Sequence, residues 1–455
     1  MNDVDSKKVK LLTFILFFIM SVLCGCASPE KPAINVDENS MIYEAISINQ
    51  ETEEKKLVVY VFNDLLSVYS NAARKFESLH KDIKVELKIH QDIGYFEYAK
   101  MLNTEMLTGK GPDIIGSFYP LRQYAEKDLL VNLDEMIEKD KSFDISDYYE
   151  NIINGCRQEG KLYAMPVNYY INGFLVNDKL MKEKNITIDN DYTFDDLYDA
   201  AQKLNSGSSS KEYYLFPQIK YDRGHFEYIL YNDIEHYIDW EKKTAKFDSE
   251  EFIDLLRKYK ELRQNYTSPN IKEDDINPNK NNPIDNILLI YVPIQGYDSI
   301  GVLGKLYSDC DFKVLPYPKG KHTGHNLFYS DIVSINKNSR YKDEAWEFIK
   351  LLLSEEVQSN FYEYRFLLNQ NADKERKDYY LEMQHKIKNP YCYFYTPSDI
   401  EKLKDIAQSS NKLCIDTDAI YLLLEEEIYH YVTSDRSAEE AAKIIQNKVE
   451  LYLNE

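Results

Sequence analysis

Residues 57–89 read LVVYVFNDLLSVYSNAARKFESLHKDIKVELKI. The apolar run at the start of this segment predicts a buried strand, and IKVELKI at its end predicts a second strand. Between the two strands, an amphipathic helix is predicted over 65–79. Its apolar face carries Ala72, Phe76 and Leu79, which recur at helical spacing. A strand, a helix and a second strand in this order indicate an α/β protein.

The alternation of strands and helices continues along the chain. A helix is predicted over 95–107, and GKGPDII at 109–115 predicts a turn that leads into a short strand. Apolar residues at helical spacing over 345–353 predict another amphipathic helix. Capping pairs predict further helix starts at Thr193 with Asp196, Asp248 with Glu251, and Ser437 with Glu440. We expect a mostly parallel sheet covered by helices on both faces, with ligands at the carboxyl ends of its strands.

Composition excludes several classes of function. The 455 residues include 55 basic and 77 acidic side chains, a net charge of −22, which excludes a protein that neutralises nucleic-acid phosphates. Only 15 residues are glycine, so a Gly-rich loop that cradles phosphate is disfavoured. The 39 tyrosines instead supply flat rings with a hydroxyl group, which suit an amphipathic ligand.

The first residues predict export. Lysines at 7, 8 and 10 precede an apolar run over 11–23, which is shorter than the ~20 residues of a membrane-spanning helix and typical of a signal peptide. LCGC at 23–26 resembles a bacterial lipobox, which predicts a lipoprotein signal peptide over 1–25 and a lipidated Cys26. A plain signal peptide with an incidental cysteine is the alternative. Residues 26–56 are then a flexible tether to the extracytoplasmic face of the cell membrane.

No catalytic or metal-binding motif stands out. Four further cysteines lie far apart without ligand spacing, and either isolated thiols or one or two disulfides fit them: Cys156, Cys310, Cys392 and Cys414. His322 and His325 have a spacing that metal sites use, but a loop pair of this kind is more typical of a solvated turn. We therefore predict no metal, no cofactor and no enzymatic activity. A surface glycoside hydrolase with two carboxylates is the distant alternative.

Several segments resemble the bacterial extracellular solute-binding proteins of carbohydrate ABC importers, the family that includes maltodextrin-binding protein. They follow one another in the family's order from residue 57 to the end of the chain. The segments are 57–77, LTGKGPDII (107–115), YAEKDLLVNLDE (124–135), KLYAMPVNYYINGFLVNDKLMKEKNI (161–186), TFDDLYDAAQKL (193–204), FKVLPYPKG (312–320), DEAWEFIKLLLSEEVQ (343–358) and RSAEEAAKIIQNKVELYL (436–453). Lys127-Asp128 departs from the family pattern, which often has glycine there, and so does the apolar run at 287–291.

The resemblance implies a two-lobed α/β fold of the type II periplasmic-binding-protein kind, with discontinuous lobes and a hinge. One lobe would comprise 57–165 plus 312–362, and the other 166–311 plus 363–455. Such a monomer closes on a solute, here a sugar or oligosaccharide, and delivers it to the transmembrane subunits of an ABC permease. Open alternatives are a receptor for a peptide or another non-sugar solute, and a lipoprotein coupled to a sensor kinase.

Sugar recognition needs flat apolar surfaces together with carboxylates or amides that bridge hydroxyls. By resemblance, ligand-binding residues are expected at strand ends and crossovers: Asn63, Asp64, Tyr119, Tyr169, Tyr170, Tyr221, Asp222, Gln295, Tyr297, Tyr329, Asp331 and Tyr421. Each has an ordinary structural alternative, such as a helix cap, an exposed turn or a core position. One of Tyr169 and Tyr170 is expected in the core, and Tyr297 is the first choice for a stacking ring in the second lobe.

Overall fold

The computed structural model describes residues 55–61, 66–90, 95–116, 119–206, 212–218, 232–270, 283–297, 312–324, 326–361, 365–384, 397–414 and 419–454. All of them belong to one compact unit, Glu53–Gln384 with Asn389–Glu455. The other unit, Met1–Thr52 with His385–Lys388, lies outside the described residues. No helix within these ranges is long and apolar enough to cross a membrane.

The strands of the described ranges are mostly short. In chain order they are β1 (Lys55–Val61), β2 (Ile83–Ile89), β3 (Ile114–Gly116), β4 (Arg157–Gln158), β5 (Lys161–Leu162), β6 (Met165–Pro166), β7 (Asn168–Tyr169), β8 (Ile171–Asn177), β9 (Phe216–Gln218), β10 (Ile238–Asp239), β11 (Thr244–Ala245), β12 (Thr267–Asn270), β13 (Leu289–Ile294), β14 (Phe312–Pro316), β15 (Leu327–Phe328), β16 (Ile332–Ile335), β17 (Phe366–Leu367) and β18 (Lys412–Leu413).

The helices surround these strands. They are α1 (Leu66–Leu79), α2 (Tyr95–Leu107), α3 (Leu121–Glu126), α4 (Leu133–Lys139), α5 (Glu150–Gly155), α6 (Asp178–Glu183), α7 (Phe194–Leu204), α8 (Ile234–Tyr237), α9 (Glu250–Asn265), α10 (Lys342–Leu353), α11 (Glu355–Phe361), α12 (Gln370–Gln384), α13 (Pro397–Ser409), α14 (Ala419–Thr433) and α15 (Ala438–Asn454). Short 3₁₀ turns lie at Ile145–Asp147 and Pro283–Asn286.

The largest sheet has the strand order β2-β1-β3-β16-β6. β1 runs parallel to β2 and β3, with Leu57 opposite Val85 and Val59 opposite Ile114, so the predicted β-α-β start is confirmed. β16 is antiparallel to both β3 and β6. The sheet is therefore mixed, because its last neighbours enter from the opposite direction and much later in the chain.

A second sheet has β8 at its centre, with β13 and β14 antiparallel on its two edges. All seven residues of β8 are buried. Gly173 permits the close approach of β14, because a Cβ atom there would lie 2.4 Å from the carbonyl oxygen of Leu315. Since β6, β7 and β8 are consecutive, the segment 165–177 contributes to three different sheets.

Buried apolar side chains form two large clusters. The first lies around the five-stranded sheet, with Tyr69 and Phe76 of α1 packed near Phe348 of α10. The second lies between β8 and the helices α7, α9, α14 and α15. β8 takes part in both, because alternate side chains point to opposite faces of a strand: Leu175 belongs to the first cluster and Phe174 to the second.

Local expectations from sequence hold with small shifts. α2 has the predicted bounds, and Thr193 forms a full capping box with Asp196. Leu79 was predicted on the buried face of α1, yet it is 63 % exposed because it ends the helix, beyond the last buried turn. β1 begins two residues earlier than predicted, with Lys55 paired to Ile83.

Two further differences concern helix and strand starts in the second half of the chain. α9 is capped by Ser249, whose side chain accepts the N–H of Phe252, rather than by Asp248. Residues 268–286 read SPNIKEDDINPNKNNPIDN, which predicts a loop, but 268–270 belong to β12, whose first residue, Thr267, pairs with Phe216.

Candidate functional site

The crossover from the first sheet to the second contains a short antiparallel ladder of 167–170 against 329–331, which we call the crossover ladder. Tyr170 and Tyr329 exchange backbone hydrogen bonds of 2.9 and 2.8 Å. The N–H of Val167 also donates to the carbonyl oxygen of Asp331 at 2.9 Å. The register changes by one residue along the ladder, because Pro166 is paired with Ile332 whereas Tyr170 is paired with Tyr329.

Two pairs of side chains contact each other along the crossover ladder. The rings of Tyr170 and Tyr329 stack with centroids 5.0 Å apart and planes at 16°. Beside them, Asn168 Nδ2 donates to Asp331 Oδ2 at 2.8 Å. The arrangement places an aromatic surface next to an amide and a carboxylate, the side-chain chemistry that recognises a sugar.

Tyr421, at the start of α14, joins the crossover ladder from the second half of the chain. Its half-buried side chain packs on a small cluster formed by Leu327, Tyr329 and Cys414. The structure therefore brings together four of the predicted ligand-binding residues: Tyr170, Tyr329, Asp331 and Tyr421.

Arg365 is a member of this site that the sequence did not single out. Its guanidinium lies 4.8 Å from the centroid of the Tyr170 ring. The Nη1 atom is buried and has no hydrogen-bond partner among the residues that the structure describes. An arginine beside the rings offers a donor to a ligand oxygen. Its position directly before β17 carries no local sequence signal that would have indicated this role.

Asn168 was also missed. Its side chain is fully buried, with Nδ2 on Asp331, while Oδ1 has no hydrogen-bond partner in the described part of the chain. A buried amide with an unused acceptor is uncommon and is able to receive a hydroxyl group. The motif YAMPVNYY at 163–170 marks the segment, but only the fold shows that this asparagine faces Asp331.

Tyr169 and Tyr297 lie in a different environment, around the buried carboxylate of Asp373. The hydroxyls of Tyr297 and Tyr149 donate to Asp373 Oδ2 at 2.7 and 2.8 Å. Burial raises the pKa of Asp373 and is also the main reason why the pKa of Tyr297 is raised. The Tyr169 ring stacks on Phe366 at 5.3 Å, on the side of the strand opposite to Tyr170.

Tyr297 is 3 % exposed, and Tyr169 is equally enclosed. Their hydroxyl and ring contacts are those of core residues in this conformation. For Tyr169 and Tyr170, the expectation that one of the pair is a core residue agrees with their positions. Contact of Tyr297 with a solute stays a prediction, and it requires this part of the chain to open.

Tyr119 and Gln295 make contacts with other parts of the chain. Tyr119 is 1 % exposed, its hydroxyl is hydrogen-bonded to Ser334, and its ring stacks on Tyr124 at 5.9 Å in the first cluster. Gln295 is half-buried, and its carbonyl oxygen accepts the N–H of Phe366 at 2.8 Å. These contacts place the Tyr119 ring in the first cluster and join the backbone of Gln295 to the start of β17.

Other predicted residues lie outside the described ranges, and their roles stay predictions: Asn63, Asp64, Tyr221, Asp222 and Cys26. Cys310 and Cys392 lie there too. Cys156 is a buried free thiol, and Cys414 is also buried. Burial raises the pKa of the Cys156 thiol, which disfavours the reactive thiolate.

Comparison with known proteins gives one family over most of the chain. Residues 62–359 match the model of the bacterial extracellular solute-binding proteins. Members of this family work outside the cytoplasm.

Solved structures share the fold. An ABC substrate-binding protein from Listeria monocytogenes in complex with cycloalternan is 18% identical, with a TM-score of 0.57 over 88% of this chain and 100% of that chain. The sugar-binding protein MalE from Xanthomonas citri is 15% identical, with a TM-score of 0.61 over 88% and 98%. A periplasmic oligogalacturonide-binding protein from Yersinia enterocolitica is 17% identical, with a TM-score of 0.60 over 88% and 99%.

These likenesses confirm the predicted α/β fold of the periplasmic solute-binding kind. The family match covers well over half of the chain and includes the crossover ladder. The chain belongs to the bacterial extracellular solute-binding protein family.

Proposed function

We propose that this protein captures a sugar or oligosaccharide at the crossover ladder and delivers it to the permease of an ABC importer. The observation that carries the proposal is the stacked pair of Tyr170 and Tyr329 on the same short ladder as the hydrogen-bonded pair of Asn168 and Asp331. The structural neighbours named above support the substrate class, since they include proteins that bind cycloalternan and oligogalacturonide.

Each group of the site has a separate task in binding. The half-buried ring of Tyr170 covers the C–H face of a pyranose, which is apolar. Tyr329 is 2 % exposed and supports the Tyr170 ring by stacking on it. Asp331 and Asn168 hold adjacent hydroxyl groups, and Arg365 supplies a further donor over Tyr170. Binding by positioned polar groups and stacking needs no bond to break, so the proposal includes no catalytic step.

Delivery to a permease requires two conformations that the partner can distinguish. We place a hinge at 165–171, since this segment leaves the five-stranded sheet and enters β8 within a few residues. The lobes proposed from the sequence are 57–165 plus 312–362 and 166–311 plus 363–455. The core clusters follow other bounds, since Phe366 and Ile400 belong to the first cluster and Tyr317 belongs to the second. A solute that touches both lobes favours the closed form by its difference in affinity for the two states.

The same proposal includes a lipid anchor. Cys26 follows the apolar run and is lipidated, residues 1–25 are removed, and a polar tether leads to β1. The protein then acts as a monomer at the extracytoplasmic face of the membrane. Replacing Cys26 by alanine is expected to release the protein from the membrane fraction, as measured by fractionation. Retention of the Cys26→Ala protein in membranes would leave the binding function standing and contradict the anchor.

The binding proposal is tested by thermal unfolding of the full chain in detergent solution against mono- and oligosaccharides, short peptides and polyamines. A ligand at about 100 times its Kd adds about 2.7 kcal/mol to the unfolding free energy. We expect one saccharide class to raise the Tm. Tyr170→Ala and Arg365→Gln should each weaken binding by about tenfold or more.

The matched control is Tyr379→Ala, which removes an exposed tyrosine on α12 outside the site. It should leave the binding of the saccharide unchanged. A response to peptides or polyamines alone would contradict the sugar and leave a solute receptor of another class. Equal binding by Tyr170→Ala and the unaltered chain would contradict the assignment of the crossover ladder.

A further inference from the structure

Two histidines and a glutamate come together on the second cluster, away from the crossover ladder. His236 is the third residue of α8, Glu251 lies in the first turn of α9, and His322 lies in the loop after β14. His322 Nε2 is 2.7 Å from Glu251 Oε1, and His236 Nε2 is 3.3 Å from Glu251 Oε2. All three potential ligand atoms lie within 4.8 Å of one another.

From the sequence, His322 and His325 are interpreted as parts of a solvated turn, and no metal is predicted. His325 lies outside the described residues. The fold instead brings His236 against His322, with ring centroids 3.6 Å apart and planes at 9°. The pairing is long-range, so the sequence alone could not indicate it.

Lys246 and Glu251 make opposite demands on His236 Nε2, since one needs a lone pair on this nitrogen and the other needs a proton. Lys246 Nζ is 3.3 Å from His236 Nε2, and an ammonium group only donates, so it needs a lone pair on that nitrogen. Glu251 faces the same Nε2 and needs a proton on it. Two imidazolium rings at this separation would also repel each other. A cation bound by the lone pairs of both rings and by the carboxylate removes the conflict, because no proton is then needed.

The loop that carries His322 is held in place by hydrogen bonds to Asp233. The carboxylate of Asp233 accepts the backbone N–H groups of Lys321, His322 and Thr323, at 2.6, 3.0 and 3.2 Å. Gly320 allows this approach, because a Cβ atom there would lie 2.5 Å from Asp233 Oδ1. A ligand on a fixed loop loses little freedom when it binds, which favours a metal site.

Space for a further ligand lies next to Glu251. A polar pocket is lined there by Asp195, Asp233, Asp254, Lys258 and Lys321, among others. Lys321 Nζ, 3.4 Å from Glu251 Oε1, and Lys246 are both exposed and are free to turn toward solvent. Glu251 itself lines this pocket, which has room for water beside the carboxylate.

We propose that His236, His322 and Glu251 bind one divalent transition-metal ion of the zinc class. Two imidazole nitrogens and one carboxylate oxygen suit such an ion, whereas calcium and magnesium prefer oxygen ligands alone. The two rings rotate out of their parallel stack so that each lone pair points at the ion, at about 2.0–2.1 Å. The ion links α8, α9 and the 320–324 loop and so stabilises the second cluster.

The test uses the full chain, treated with a chelator and titrated with ZnCl₂ or MgCl₂. We expect one zinc per chain by calorimetry, a Tm that rises with zinc and does not respond to magnesium, and nitrogen and oxygen ligands in X-ray absorption spectra. His236→Ala, His322→Ala and Glu251→Gln should each weaken zinc binding at least about tenfold. Glu251→Gln keeps the side-chain shape, so it remains informative if a histidine variant folds poorly.

His430→Ala is the matched control, since His430 also lies near a glutamate, at 3.9 Å from Glu426, but on an exposed helix face. It should bind zinc as the unaltered chain does. Loss of binding in His325→Ala with full binding in His236→Ala would assign the ion to the loop pair and overturn the proposal. Sulfur ligands in the absorption spectrum, or weak binding at many sites that none of the variants alters, would overturn it as well.

Discussion

Asp373 shows how a single residue decides the role of its neighbours. Its carboxylate is 2 % exposed and accepts hydrogen bonds from Tyr149 and Tyr297. A buried carboxyl group needs such donors, because an unpaired one would cost several kcal/mol. Tyr297 is therefore tied to the packing around Phe366, whereas Tyr170, on the opposite side of its strand from Tyr169, belongs to the crossover ladder.

Tyr297→Phe is expected to lower the unfolding free energy by about 1–2 kcal/mol, since it removes one donor to a buried carboxylate and keeps the ring. Chemical denaturation measures the loss, and Tyr149→Phe should give a similar one. The affinity for the solute should stay unchanged. A Tyr297→Phe protein with unaltered stability and weakened solute binding would show that the hydroxyl serves the ligand instead.

The same carboxylate gives a pH dependence. Burial raises the pKa of Asp373 in the folded chain, so above the ordinary value of about 3.9 the folded state still holds a proton that the unfolded state has released. The unfolding free energy therefore falls as the pH rises through the interval between these two pKa values. Asp373→Asn should remove this part of the slope, measured by denaturation from about pH 4 to 7. Parallel profiles for both proteins would contradict it.

At the residue scale, the sequence alone does not determine which tyrosines lie in the core and which lie at the site. The tyrosines were correctly recognised as abundant flat rings, but whether a ring lies in the core or at a site depends on distant partners. Tyr297 finds its partner 76 residues away at Asp373. Arg365 and Asn168 carry no local pattern at all, since their importance comes from what the fold places beside them.

Among the elements, α7 shows how a local pattern becomes structure. Thr193 and Asp196 exchange hydrogen bonds, with the N–H of Thr193 donating to Asp196 Oδ2 at 2.8 Å. After this cap, the helix packs one face into the second cluster through Phe194, Leu197 and Ala201. The helix therefore has its start fixed by hydrogen bonds and its orientation fixed by apolar packing.

Thr193→Ala should lower the unfolding free energy by about 1 kcal/mol, because the N–H of Asp196 loses its acceptor and the Asp196 carboxylate loses the hydroxyl donor of Thr193. Thermal or chemical denaturation measures the change. Thr433→Ala is the control, since Thr433 ends α14 and its hydroxyl only adds a bond to the carbonyl oxygen of Tyr429. An equal effect of the two substitutions would show that the cap contributes nothing of its own.

Elements with local signals were predictable, and long-range pairings were not. The α2 bounds and the caps at Thr193 and Ser437 follow from residues three or four apart, as do the apolar positions of α10. The antiparallel placement of β16 between β3 and β6 depends on residues far apart in the chain. No window of sequence contains that information, so the mixed character of the sheet was missed.

At the scale of the whole molecule, acidic residues outnumber basic ones by 77 to 55. Many of the basic side chains are already paired at the surface, as Arg257 is with Glu250 and Glu439. The remaining charges are mostly of one sign and repel each other in the compact state. Exposed ion pairs contribute little to stability. We therefore expect the repulsion between like charges to be the larger electrostatic contribution to the unfolding free energy.

The Tm should therefore rise when NaCl is increased from about 10 mM to about 300 mM, because the screening length falls over that range. Differential scanning calorimetry measures the shift. KCl at the same ionic strength should act in the same way, since screening does not depend on the cation. A Tm that falls with salt would mean that paired charges, and not the net charge, determine the electrostatic contribution.

The late position of β16 in the sequence also affects the chain during its translation. Synthesis proceeds from the N-terminus, so β1, β2 and β3 are complete long before β16, at Ile332–Ile335, has left the ribosome. During that interval β3 has an unpaired edge, which is able to join strands of other chains. The nascent polypeptide must be kept from such contacts through most of its translation, and a product that stops before β16 is prone to aggregate.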